Sequence, residues 1–215
     1  MNIYHTSEQS IICVLKPPAE LVKQQQIWQM AELIQQLPNV VEIVVGMNNF
    51  TVFHNMQADT DLLKQQLQET WQTLSQQQNS RQGKIVEIPV HYGGEYGEDL
   101  ANVAAYHQTT PEEIIQRHTN AVYTVFMIGF QPGFPYLGGL PENLHTPRHK
   151  VPRTRVPAGS VGIGGSQTGI YPFTSPGGWQ LLGKTDLPLF DITKTPPVLL
   201  QTGDTVRFIV ESVKL

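Results

Sequence analysis

Apolar residues in this chain recur with two different periods, and the period changes along its length. Ile11 to Leu15 is a short apolar run that predicts a strand, closed by Pro17-Pro18. From about Ala19 to Leu37, Ile27, Ala31 and Ile34 fall on one helical face, and Pro38-Asn39 stops the helix. Val40 to Val45 and Phe50 to His54 are β-branched or aromatic runs joined by Met47-Asn48-Asn49, the pattern of a hairpin. A second helix from about Asp61 carries Leu63, Leu67, Trp71 and Leu74 at helical spacing. These runs spell βαββα, and the first 80 residues are expected to form a small two-layer α/β domain in the order ββαββα, one strand more than the runs named. The glutamine runs at Gln24 and Gln76 read as solvated helix faces, and the polar segment from Gln76 to Gly83 reads as a linker.

Beyond the linker the period shortens. Lys84 to Val90 alternates as a strand, and Thr110 with Pro111 opens a helix that runs to about His118. Tyr123 to Ile128 is a buried-strand pattern. After it come short runs divided by Gly and Pro: Val161 to Ile163, Trp179 to Leu182, Val198 to Leu200 and Val206 to Val210. Many short strands with regular turn signals predict a closed or nearly closed barrel over residues 84–215. The whole chain is then an α+β protein of two domains, 1–80 and 84–215.

The stretch from Gly129 to Gly183 holds twelve of the 18 glycines and eight of the 16 prolines. Aromatic and β-branched residues are threaded through it, which separates it from a disordered linker and marks ordered loops on a rigid scaffold. Composition narrows the setting. A net charge of −4 lacks the basic footprint of a general nucleic-acid binder. A single cysteine, Cys13, excludes an internal disulfide and fits a reducing compartment. The N-terminal residues show no signal-peptide pattern, and no apolar run approaches the ~20 residues of a membrane helix, so the expected location is cytoplasmic, away from membranes.

Several short patterns suggest chemistry. Gly178 to Thr185 matches the phosphate-loop pattern G-x-x-x-x-G-K-[ST], but Trp179, Leu181 and Leu182 suit a strand, and Pro188 would break the helix such a loop needs. Ala158-Gly159-Ser160-Val161-Gly162 approximates a nucleophile elbow without the helix that must follow, so Ser160 reads as a turn residue. Arg148, Lys150, Arg153 and Arg155 sit within eight positions stiffened by Pro147, Pro152 and Pro157. Such a segment is either a solvated basic loop or an anion site. The seven histidines lack metal-ligand spacing, which points to hydrogen-bonding roles and no metal centre. Glu95, Glu98 and Asp99 lie in a Gly-rich turn, where they could face a cationic group or a metal, or Asp99 could cap the helix that follows.

Five blocks then carry a family signature: H-Y-G-G-E-Y-G-E-D-L (91–100), I-G-F-Q-P-G-F-P-Y-L-G-G-L (128–140), P-R-H-K-V-P-R (147–153), V-P-A-G-S-V-G-I-G-G-S-Q-T-G-I-Y-P (156–172) and S-P-G-G-W-Q-L-L-G-K-T (175–185). They closely resemble the 5-oxoprolinase B-subunit family, also called the sporulation kinase inhibitor (KipI) or allophanate hydrolase subunit 1 family. Members usually carry Pro at Glu98, Arg at His149 and often Arg at Lys184, which further weakens the phosphate-loop reading. The resemblance implies a cyclophilin-like β-barrel behind a smaller α/β domain. It also implies action with two further proteins, a homologous C subunit plus an A subunit, in a complex that uses ATP and Mg to open 5-oxoproline to glutamate. Related barrels in urea carboxylase transfer a carboxyl group, and one branch inhibits a histidine kinase. Prolyl isomerisation would rest on fold analogy alone.

The chemistry of lactam opening sets the expected site. The substrate carboxylate and the phosphates need cations, and the developing oxyanion needs donors. Arg148, Arg153 and Lys184 are the expected cations. Gln167, Thr168 and the backbone N–H groups of Gly164 and Gly165 are the expected donors. Asp99 or His118 is the expected acid/base, with Asp99, His118 and Arg153 as the catalytic set. Tyr171, Phe134 and Trp179 are the expected walls. The site is expected to be shared with the partner, leaving the isolated chain inactive.

Overall fold

A computed structural model describes residues 1–74 and 83–215. The chain forms two compact units, Met1–Arg81 and Gln82–Leu215. The linker assigned to Gln76–Gly83 and the glutamine run at Gln76 lie almost wholly outside the described residues.

The first unit is a four-stranded antiparallel sheet in the order β1-β2-β4-β3, built from β1 (Asn2–Ser7), β2 (Ser10–Val14), β3 (Val40–Val45) and β4 (Asn49–His54). Two helices, α1 (Leu21–Ile34) and α2 (Thr60–Leu74), complete the ββαββα order. Period-2 alternation turns Ile11, Cys13, Phe50 and Val52 to one face, where they meet Ile27, Met30 and Ile34 of α1 and Leu63 and Leu67 of α2. One expectation fails here. Gln24 is not a solvated residue: it is buried, its Nε2 donates to Gly46 O at 3.0 Å, and its Oε1 accepts from Asn48 N at 3.0 Å. A long amide can satisfy both groups of the β3–β4 turn at once, which a polarity pattern cannot reveal.

The second unit begins with β5 (Ile85–Gly93), two short helices α3 (Leu100–Tyr106) and α4 (Pro111–Asn120), and then β6 (Tyr123–Ile128) and β7 (Pro135–Gly138). Next come β8 (Arg153–Val156), β9 (Ser160–Gly164), β10 (Gln167–Ile170), β11 (Ser175–Gly177), β12 (Gln180–Lys184) and β13 (Thr205–Lys214). Seven strands close a barrel in the order β10-β7-β6-β13-β5-β12-β9, the closed barrel that the turn-rich pattern and the family resemblance predict. Strands β8 and β11 pair separately as a two-stranded ribbon. Thr110 caps α4, accepting from Glu113 N at 3.3 Å, with Pro111 in the first turn. The barrel is filled by Ile88, Val90, Tyr92, Val125, Leu137, Val161, Ile163, Ile170, Leu182 and Phe208. No helix of the described residues is long and apolar enough to cross a membrane.

Candidate functional site

At one end of β12, the loop from Pro147 to Pro152 and the β8–β11 ribbon frame an open pocket of about 260 Å³. Its walls are aromatic: Phe130, Phe134, Tyr136, Tyr171 and Trp179. They meet edge to face, with Phe134 5.2 Å from Tyr171 and 5.6 Å from Trp179 between ring centroids, a geometry in which each ring's positive edge meets a negative face. Arg148 lies across the Trp179 ring, its guanidinium carbon 5.5 Å from the centroid. Among the described residues no ion pair engages Arg148, so its charge faces the pocket unneutralised. Burial raises the Tyr171 hydroxyl's pKa, which keeps that wall neutral.

The loop is fixed from below. His149 N donates to Gly178 O at 2.7 Å, and Gln180 Nε2 donates to Pro147 O at 2.8 Å. Gly164 is required by the wall itself, because a Cβ there would fall 2.8 Å from the Trp179 ring.

Beside the pocket lies a second feature. Asp99 is 2% exposed and directly precedes α3, yet its carboxylate does not cap the helix. One oxygen accepts from Arg153 Nη2 at 2.6 Å, and the other from Leu181 N at 2.7 Å. His149 Nε2 stands 3.2 Å from the first oxygen, but without hydrogen-bond alignment, so this contact is electrostatic only. Arg153 is further held by Glu98 at 3.6 Å and by Trp179 O at 3.4 Å. The Asp99 carboxylate therefore joins the α3 entry, β8 and β12, and orients a guanidinium at the pocket's edge.

The structure brings together Asp99, Arg148, Arg153, Phe134, Tyr171, Trp179 and Gly164. It takes other expected residues elsewhere. His118 is fully buried in the barrel: Tyr92 Oη lies 2.8 Å from Nδ1, Thr168 Oγ1 lies 3.1 Å from Nε2, and the ring stacks on Phe208 at 4.4 Å. Burial lowers its pKa to about 3. A neutral, enclosed imidazole with both nitrogens occupied cannot serve as an acid/base at the pocket. Thr168 is equally enclosed, its hydroxyl donating to Gly162 O at 3.0 Å. The Gly165 N–H is committed to Thr146 O at 2.8 Å, so it is no oxyanion donor. Gln167 sits at the mouth of the β9–β10 turn, paired with Gly164.

Lys184 is at the far end of β12, roughly 10 Å along the strand from Leu181. Within Gly178 to Thr185, Gln180–Lys184 is barrel strand β12, whose backbone pairs with β5 and β9, so the segment forms no phosphate cradle, and its fit to a nucleotide fails. Ser160 opens strand β9 and is no elbow. Among the described residues no group of three His, Cys, Asp or Glu side chains could hold a metal ion. Three site residues escaped the sequence reading: His149, Phe130 and Tyr136. The two aromatics lie in the same G-F-Q-P-G-F-P-Y block as Phe134, so block membership was the signal that could have found them.

Known proteins share these features. A family model described as the carboxyltransferase domain, subdomain C and D, matches residues 1–200. A protein of Haemophilus influenzae named as the B subunit of 5-oxoprolinase is 58% identical over 215 residues, covering 100% of both chains. One of the same name from Escherichia coli O157:H7 is 47% identical over 207 residues, covering 96% of this chain and 94% of the relative. The solved structure of TTHA0988 superposes with a TM-score of 0.78 at 31% identity, covering 95% of this chain, which spans only 40% of that longer one. By sequence over nearly its full length, the chain belongs to the carboxyltransferase subdomain C and D family, alongside the proteins named as B subunits of 5-oxoprolinase.

Proposed function

We propose that this chain is the B subunit of a heteromeric, cytoplasmic 5-oxoprolinase that opens 5-oxoproline to L-glutamate with its A and C subunits, and that it is inactive alone. The observation that carries this reading is the aromatic pocket with the unneutralised Arg148 at its wall. A flat five-membered lactam matches aromatic walls, and its carboxylate matches a guanidinium. The full-length likeness to proteins of that name supports the same reading.

In this reading Arg148 anchors the substrate carboxylate while Phe134, Tyr171 and Trp179 hold the ring. Asp99 is a positioning residue: with both oxygens occupied, it fixes Arg153, whose charge stabilises negative charge developing on the lactam oxygen. ATP with Mg, bound by the complex, supplies the activation that a resonance-stabilised amide needs; Gly178–Thr185 of this chain does not hold it. The test is reconstitution. The three purified subunits are mixed with ATP and 5-oxoproline, and glutamate release is followed with and without this chain. An unchanged rate on omission rejects the assignment. The family description favours one second reading, in which the chain helps transfer a carboxyl group to a urea-like amide; carboxylation of urea by the reconstituted complex supplied with urea and a carboxybiotin donor, without glutamate release, would favour it instead.

A further inference from the structure

A separate constellation stands on the outer face of the barrel, at the end of β12 away from the pocket. Register places Lys184 of β12, His91 of β5 and Ser212 of β13 side by side in one row across three strands. Val90 and Tyr92 point into the core, so His91 points out. Its Nδ1 lies 2.7 Å from Ser212 Oγ. Its Nε2 lies 3.3 Å from an Asp186 carboxylate oxygen, and Lys184 Nζ is 3.9 Å from the other. The Tyr96 ring covers the imidazole at 5.4 Å between centroids. Lys184 is thus accounted for by this cluster and not by the pocket.

The Asp186 carboxylate makes no hydrogen bond to Nε2, but its charge favours the proton on that nitrogen, which leaves Nδ1 as an acceptor facing the serine hydroxyl. A serine within hydrogen-bond reach of an imidazole acceptor, with a carboxylate near the far nitrogen, approximates the arrangement that activates a nucleophile. Ser212 is exposed on the barrel's outer surface, so a reagent can reach it.

We propose that Ser212 is an activated nucleophile and that Ser212, His91 and Asp186 form a covalent site separate from the pocket, which accepts an acyl group from an activated ester. The Ser212 oxygen attacks the ester carbonyl, and the new C–O bond forms as the bond to the leaving alcohol breaks. The serine proton passes to His91 Nδ1 and then to the departing alkoxide. Water, deprotonated by the same nitrogen, later releases the acid and restores the serine. Lys184 stands beside the other Asp186 oxygen and helps keep that carboxylate ionised. Asp186 is largely in water, with 76% of its side chain exposed, so the relay is solvent-accessible and its turnover is expected to be slow.

The experiment incubates the full chain with p-nitrophenyl acetate, follows nitrophenolate release, and locates the acetyl group by peptide mass spectrometry. Ser212 should acetylate at least about tenfold faster than any other serine in the chain. H91N should lower that rate about tenfold or more, and D186N severalfold. Thermal melts should show both variants folded, since both changes lie on the outer face. Acetylation of Ser212 no faster than the other serines, or a rate unchanged in folded H91N, overturns the proposal.

Discussion

Replacing Asp99 with Asn tests the join that holds the candidate site together. The substitution keeps volume and removes the charge. It also turns one acceptor oxygen into an NH₂ group that must face either the Arg153 guanidinium or the Leu181 N–H, setting donor against donor. Removing one partner of a buried ion pair costs about 3–5 kcal/mol. Arg153 keeps 23% of its side chain in water, which places the cost near the lower end, about 3 kcal/mol. For a domain of this size each kcal/mol moves the midpoint roughly 3–5 °C, so D99N should lower the barrel's melting transition by roughly 9–15 °C in scanning calorimetry. The double variant D99N/R153M should recover part of that loss, with a coupling of roughly 1–3 kcal/mol in a double-mutant cycle. A shift under roughly 2 °C, or strict additivity of the two changes, would refute the claim that Asp99 and Arg153 form one buried unit.

Three further outcomes follow from the same geometry. R148A should raise the KM for 5-oxoproline in the reconstituted complex roughly thirtyfold, matching a charged hydrogen bond of about 2 kcal/mol, with a smaller change in kcat; an unchanged KM would remove Arg148 from substrate binding. G164A should destabilise the barrel by about 1–3 kcal/mol and shift Trp179 fluorescence, because the added Cβ displaces the ring; urea unfolding read by fluorescence checks both. His118 sets a pH dependence of known sign. Its folded pKa is depressed to about 3 from 6.5, so the unfolded chain binds a proton that the folded chain refuses between those values. Its contribution to stability is therefore full above about pH 6.5 and lost as pH falls toward 3, at about 1.4 kcal/mol per pH unit. Urea midpoints at pH 4, 5, 6 and 7 should show that slope in the native chain and a shallower one in H118Q.

The strand and helix periods made the elements readable because each buries one face. Leu63 and Leu67 of α2, and Ile11 and Cys13 of β2, sit where their spacing puts them. Strand β9 is announced by the apolar run Val161 to Ile163, whereas β10 (Gln167–Ile170) carries no such run and escapes the pattern. Glycine is required at positions such as Gly162 and Gly164 because Trp179 and Leu181 pack where a side chain would stand. The pocket's aromatic walls were partly legible, since Phe134, Tyr171 and Trp179 interrupt turn-rich segments. What escaped is tertiary. Asp99 precedes a helix, so local rules make it a cap, and only the fold brings Arg153 and the Leu181 N–H within reach. His118 and Thr168 are polar residues that hydrogen-bond each other inside the barrel, 50 positions apart, and no local pattern distinguishes them from surface donors and bases. Lys184 is expected among the cations of the pocket, whereas strand rise carries it to the end of β12 away from Trp179.

The central claim is that this chain is an indispensable part of an ATP-dependent 5-oxoprolinase whose substrate pocket includes Arg148. Glutamate release from 5-oxoproline by the purified A and C subunits, measured with no B subunit, with the native chain and with R148A, tests it most directly. The account predicts no release without the chain, ATP-dependent release with it, and release with R148A that recovers only at much higher 5-oxoproline. Equal rates in all three mixtures would contradict it.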